Sequence, residues 1–360
     1  MNEKLNWENK NLLFIKKMFV EYYKENSHKI NTPEYFGQRE FGFLLFKQGI
    51  MLRHKSFDNI DALRNFIETI IPSDIYYSSA YYENPTAPMS EKNWLGADLV
   101  FDIDADHLDT TCKKLHGDDW FCELCLIKAK REVLKLIDII ISDFGISPKN
   151  IRVYFTGHRG YHLHANAKEI RELSSSERKE IVDYVTGLGL DLKSIKMERK
   201  NNIYSLKGLN PEDPGWRGRI ARGIYEFSNN FKENSESSFF KSSNIKTGRM
   251  KTILKKIIEK NSVRVDPVVT IDTHRLIRLS ETLHGKTGFR VMRIDINMLD
   301  DFDPFKDALA WKGRKEIFVL KAPKFRIGEE EFGPYNKVKA ELPTAGALLL
   351  ICKRRAILKD

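Results

Sequence analysis

Residues 96–108 read Gly-Ala-Asp-Leu-Val-Phe-Asp-Ile-Asp-Ala-Asp-His-Leu. A largely apolar run from Ala97 to Phe101 leads straight into Asp102 and Asp104. Along a strand the side-chain period is two, so these two carboxylates share a face. At a spacing of about 6–7 Å they repel by roughly 2–3 kcal/mol at an effective dielectric near 20. A divalent cation between them reverses the sign of that interaction. All-oxygen donors of this kind suit Mg²⁺ or Mn²⁺ rather than zinc. The plainer alternative is a strand that runs out into a polar loop.

The rest of the chain bears on that choice. Its 360 residues are 41% hydrophobic and 31% charged, with a net charge of +10, the profile of a soluble globular protein with a polyanionic partner. Met1 is followed by charged residues rather than an apolar core, so no targeting signal is read. The longest apolar run, Ala345 to Cys352, is too short to span a bilayer. A cytoplasmic location without membrane contact is the expectation.

Four cysteines occur, and Cys112, Cys122 and Cys125 fall within 14 residues, leaving Cys352 apart as a small buried hydrophobe. Such clustering reads as metal ligation rather than a disulfide framework. With His116, the pattern Cys-x3-His-x5-Cys-x2-Cys supplies a closed tetrahedral Cys₃His set for structural zinc. His107 is an alternative fourth ligand, and Asp109 or Asp118 a weaker one.

Periodicity gives a mixed α/β order. Residues 11–24 have helical spacing, Arg39 to Phe57 alternates like strands, and Ser56 to Ile71 reads as a capped helix ended by Pro72. Tyr76–Tyr82 and Ala97–Ile103 read as strands, and 126–143 as the clearest helix. Ile151–Phe155 and Tyr161–Ala165 flank the turn Thr156-Gly-His-Arg-Gly160 in a hairpin. That turn gathers a hydroxyl, freed backbone donors, a guanidinium and imidazoles, a set suited to phosphate. His158, His162 and His164 as metal ligands are the competing reading. From about 168 to 258 lysine-rich helical pieces form an insertion, in which Lys251–Lys260 is a solvated face or a template surface. Residues 263–272 read as a strand running into a helix over 273–285. Leu283-His-Gly-Lys-Thr-Gly288 is not a P-loop, because Ser280 stands where that motif needs glycine and a helix pattern precedes it. His284 and Lys286 remain candidates for phosphate.

Taken together, Arg39–Phe57, GADLVFDIDADHL, the cysteine knuckle, FTGHRGYHLH and VDPVVTIDTHRLIRLSETLHGKTG resemble the archaeal and eukaryotic-type DNA primase small subunit family, in order and spacing. The resemblance implies one catalytic domain over 1–360: mixed β-sheets flanked by helices, a zinc knuckle at 112–125 and the insertion. It implies template-directed nucleotidyl transfer that makes primers on single-stranded DNA in replication. It matches Asp102, Asp104 and Asp266 to the catalytic, metal-binding aspartates, with Asp272 the rival for the third place. It matches Arg53, Thr156, Arg159, His162, Arg278 and His284 to contacts with the incoming NTP or dNTP. Arg278 stands where some members have lysine, and His116 among the knuckle ligands is similar to archaeal versions. Mg²⁺ or Mn²⁺ for catalysis, structural Zn²⁺, a primer, a nucleoid-associated location and a heterodimer with an iron–sulfur large subunit are further implications. The rivals are a stand-alone primase-polymerase, a zinc-stabilised nucleic-acid-binding module and a histidine-dependent phosphohydrolase.

Overall fold

The computed structural model of the chain describes residues 2–46, 49–117, 119–191, 197–200, 203–206, 208–233 and 247–358. Two four-stranded antiparallel sheets frame its centre. The first has the order Leu276–Arg278, Asp74–Ser78, Phe41–Leu44, Met51–Lys55. The second has the order Met292–Ile294, Ile151–Phe155, Gly160–Ala165, Leu99–Asp104.

Leu99–Asp104 lies between two hydrophobic cores, and its alternation decides where the carboxylates emerge. Leu99, Phe101 and Ile103 enter the larger core, whereas Val100 enters the core beneath the first sheet. Asp102 and Asp104 continue the face of Val100 and come out between the sheets, 21% and 27% exposed. The helix Glu123–Ser142 covers the larger core with Leu126, Ala129, Val133, Leu136 and Ile140. Their i, i+3, i+4, i+7 spacing builds one apolar stripe, and each full-size side chain contributes about 1.5–3 kcal/mol by leaving water. Phe19 and Tyr23 from Asn2–Asn26, with Leu63 and Ile67 from Ile60–Ile70, close the other core.

A buried polar clamp fixes the entry to the acidic strand. Arg39, 1% exposed, donates to Asp98 (2.8 Å) and to the carbonyls of Ser78 and Ser79 (both 2.8 Å). Arg178 donates to the carbonyls of Ala97 and Asp98 (both 2.9 Å). Each guanidinium nitrogen of Arg39 and Arg178 has a partner, as burial of a guanidinium requires.

Several elements differ from the sequence expectation. The helix expected from Ser56 begins at Ile60, because the Asn59 side chain accepts from Ala62 N (2.9 Å) and caps it there. Tyr76–Tyr82 is split at Ser79 between two sheets. Within 263–272, Pro267–Ile271 is a short helix rather than a strand: Asp266 caps it and Pro267 opens it. The β-branched run Val268-Val-Thr-Ile271 misleads by propensity. Over 273–285 the observed element is the strand Leu276–Arg278, recruited by pairing with Asp74–Ser78. The Leu283–Gly288 turn therefore follows a strand, while Ser280 still excludes a P-loop.

Residues 168–258 are not all helical. Met197–Lys200 and Ile203–Leu206 pair as a hairpin. Val182 and Val185 of the helix Ser175–Thr186 belong to the larger core. Trp216, Ile220, Ile224, Ile253, Leu254 and Ile257 form a small core of their own on Gly215–Glu233 and Thr247–Asn261. From residue 234 the Ser/Asn-rich stretch lies outside the described residues. Among the described residues no helix is long and apolar enough to cross a membrane.

Candidate active site

The acidic strand and the basic hairpin are paired residue for residue. Asp102 lies opposite His162 and Asp104 opposite Gly160. His162 Nε2 is 3.4 Å from Asp102 Oδ1. Arg159 Nε is 2.9 Å from Asp104 Oδ1, and its Nη2 pairs with Asp106. Glycine at 160 is what lets the turn come this close: an ideal Cβ there would lie 2.4 Å from the Ile103 carbonyl oxygen. The Thr156 hydroxyl donates to the Gly160 carbonyl (3.1 Å) and closes the turn.

Asp266 joins from far along the sequence. Its backbone N–H donates to the Asp102 carbonyl (2.9 Å), and its carboxylate accepts from Val268 N (2.9 Å). Asp272 ends the same short helix and accepts from His274 N (2.9 Å), without a backbone tie to the acidic strand.

A cavity of about 680 Å³ opens in front of the two sheets. Asp102, Asp104, Thr156, Arg159, His162, Arg278 and His284 line it, together with Tyr76, Arg275, Lys286 and Lys353. Arg278 pairs with Asp74 and lies over the Tyr76 ring. The His284 turn locks onto the hairpin through Thr287, whose hydroxyl donates to the Gly157 carbonyl (2.6 Å). Gly157, at φ +80, faces His284 at a distance that no Cβ would tolerate. Arg53 and Asp266 are not among the cavity-lining residues; Arg53 forks onto buried Glu40 (2.9 and 3.2 Å).

The electrostatics divide the two carboxylates. Burial works to raise Asp102, but His162, helped by His107 and Arg275, more than offsets it and holds the carboxyl below its ordinary value. Burial, with like charge from Asp106 and Asp102, raises Asp104 despite Arg159 and the Asp106 N–H. Burial drives His158 and His284 well below the ordinary imidazole range, and neighbouring cations add to it. His284 is therefore neutral near pH 7. Its Nδ1 accepts from Lys286 N (3.1 Å), which leaves the proton on Nε2 as a donor. His164 is buried on the second hairpin strand with its ring centre 6.1 Å from that of His162, whereas His158 on the turn meets Lys353 at 2.6 Å.

Cys112, His116, Cys122 and Cys125 bring their ligand atoms within 4.8 Å of one another, the only such set of three or more among the described residues. Cys125 Sγ is 3.4 Å from Cys112 Sγ, 3.7 Å from Cys122 Sγ and 3.4 Å from His116 Nε2. Tetrahedral ligation at about 2.3 Å sets sulfurs roughly 3.8 Å apart, so this set can hold one metal ion. His107 and Asp109 are not in it, and Asp118 lies outside the described residues. The three aspartates do not converge to that limit: Asp104 faces Arg159 and Asp266 caps its helix.

Tyr76, Arg275 and Lys353 line the cavity without a motif that marks them in the sequence. Lys353 follows an apolar run and carries no local signal; Arg275 sits in a stretch that reads as helix.

The DNA primase small subunit family model matches residues 101–296. The chain is 36% identical over 355 residues to the DNA primase small subunit PriS of Archaeoglobus fulgidus, covering 95% of this chain and 97% of that one. Against the protein of that name from Methanothrix thermoacetophila it is 34% identical over 394 residues, covering 96% and 98%. The counterpart from Cenarchaeum symbiosum is also 34% identical, over 96% and 98%. Near-full-length similarity at this level, over the acidic strand, the basic hairpin and the knuckle alike, places the chain in the DNA primase small subunit family.

Proposed function

We propose that this primase subunit polymerises nucleotides at the cavity between the acidic strand and the two basic turns, on a single-stranded DNA template. The primer 3′-hydroxyl attacks the α-phosphate of the incoming nucleotide, and pyrophosphate leaves. The observation that carries the reading is the register of Asp102 and Asp104 against His162 and Gly160, with Asp266 bonded to Asp102 through the backbone.

The all-oxygen donor set fits Mg²⁺ or Mn²⁺. Cations held by Asp102, Asp104 and Asp266 would activate the hydroxyl and neutralise charge on the triphosphate and leaving group. Arg159 and Arg278 offer planar forks to phosphate oxygens, and His284 offers its Nε2–H. His162 orients Asp102 and keeps it ionised. Thr156 shapes the turn through its hydroxyl on the Gly160 carbonyl. Arg53 supports the first sheet through Glu40 and does not line the cavity.

The knuckle takes zinc in a structural role, since four protein ligands leave no open position. The chain is read as one catalytic domain, with the knuckle and the insertion as appendages. Its partner is read as a primase large subunit. A histidine-dependent phosphohydrolase is disfavoured, because His158, His162 and His164 do not form a ligand set among the described residues.

The test is primer synthesis on single-stranded DNA by wild type and Asp104→Ala. The variant should lose at least about 100-fold in rate. Equal primer yield from the two would refute the assignment.

A further inference from the structure

The helix Thr344–Cys352 is apolar all round and buried from Ala345 to Ile351, so it acts as a fixed post. Three cations follow it: Lys353, Arg354 and Arg355. Arg355 has a structural place, paired with Asp119 (3.1 Å) and lying over the Trp120 ring. Lys353 and Arg354 instead line the cavity that holds Asp102 and Asp104.

A lysine after a helix commonly serves the helix dipole. Lys353 turns away from that role. Its ammonium donates to the Asp119 carbonyl (2.8 Å) and to His158 Nε2 (2.6 Å) on the cavity wall. Among the described residues no carboxylate lies within 4.0 Å of Lys353 or Arg354. Burial and then Arg159, with Lys286 and Arg355, push the Lys353 ammonium down to about 8, against the pull of Asp119. Arg354 has φ 56, the left-handed conformation that normally favours glycine after a helix. A cation kept in a strained backbone position and a cation without a counter-charge thus face one cavity. Both features are explained by an anion that arrives with the substrate.

We propose that Lys353, assisted by Arg354, binds the terminal phosphates of the incoming nucleotide and makes the cavity selective for triphosphates; this rests on the cavity being the nucleotide site. Arg159 and Arg278 each have a carboxylate partner across the wall. Among the described residues Lys353 and Arg354 have none, and with Arg275 and Lys286, which line the cavity likewise without an ion pair, they are placed to balance the negative charge beyond the α-phosphate.

The test is calorimetric titration of the full chain with ATP, ADP and AMP, each with excess Mg²⁺. Lys353→Gln should weaken ATP by about ten-fold or more, ADP by less, and AMP by no more than about two-fold. Lys353→Arg should recover most of the ATP affinity. Arg354→Gly removes the backbone strain, so it should raise the melting temperature while weakening ATP. A purely structural role cannot produce that combination. Should Lys353→Gln fail to fold, the ATP-to-AMP ratio of Arg354→Gly decides. Wild type that prefers ATP, with an unchanged ratio in the variants, overturns the role of Lys353 and Arg354 alone. Wild type that does not prefer ATP to AMP overturns the nucleotide cavity itself, and this proposal with it.

Discussion

Gly160 is where the acidic strand and the basic turn meet most tightly, and Gly160→Ala is the sharpest test of their registration. A Cβ built there lies 2.4 Å from the Ile103 carbonyl oxygen and 2.9 Å from Asp104 Cα. Both obstacles are backbone, so no side chain can swing aside. The turn must retreat by about 1 Å to reach ordinary contact near 3.5 Å. Gly160 pairs with Asp104, so the retreat carries Arg159 away from that carboxylate and tilts His162 off Asp102. A displacement of that size at reacting groups costs on the order of 100-fold in rate. Overpacking adds a stability loss of about 1–3 kcal/mol. The assay is extension of a primer on single-stranded template at saturating nucleotide, beside urea denaturation. Gly37→Ala is the control, since nothing lies within 4 Å of its built Cβ. A Gly160→Ala enzyme within about three-fold of wild-type rate would mean that this registration does not set the chemistry.

Metal analysis should find one zinc per chain, and Cys125→Ser or a strong chelator should lower the melting temperature; a zinc-free protein of equal stability would count against the knuckle. Breaking the buried Arg39–Asp98 pair with Arg39→Met should cost about 3–5 kcal/mol in urea denaturation, because Asp98 is left charged and buried; a cost below about 1 kcal/mol would remove the clamp from the account. Burial, with His162, Arg39 and Arg152, holds His164 well below 6.5, so the unfolded chain binds its proton first as pH falls. The stability linked to neutral His164 is present above pH 6.5 and lost below it, at up to about 1.4 kcal/mol per pH unit. His164→Gln should make the urea midpoint fall less steeply between pH 6.5 and 5, the remaining slope coming from His158 and His284; an unchanged slope would contradict a buried neutral imidazole.

The acidic strand and the hairpin were legible because their signals are local. Period-two alternation from Leu99 to Asp104 and glycines at 157 and 160 fix both elements without help from distant residues. Asp266 shows the opposite case. Its β-branched sequel reads as strand, but the capping aspartate and Pro267 at the first helical position outweigh propensity, and that signature was present in the sequence. Leu276–Arg278 became a strand only because Asp74–Ser78 offers it a free edge, which no local pattern records. The same holds for the cavity wall. Tyr76 and Lys353 come to the same cavity as the carboxylates through sheet pairing and through a helix some 250 residues away in sequence from the acidic strand. Arg53 matches a family position, but its fork onto Glu40 depends on an antiparallel neighbour.

The central claim is that Asp102, Asp104 and Asp266, drawn from two distant segments, together hold the divalent cations of the reaction. Electron paramagnetic resonance titration of Mn²⁺ in the presence of ATP tests it most directly, comparing wild type with Asp102→Asn, Asp104→Asn and Asp266→Asn. Each variant should bind Mn²⁺ more weakly by about ten-fold or more while keeping the wild-type melting temperature to within a few degrees. Wild-type Mn²⁺ affinity in Asp266→Asn, or in both strand variants, would contradict the claim.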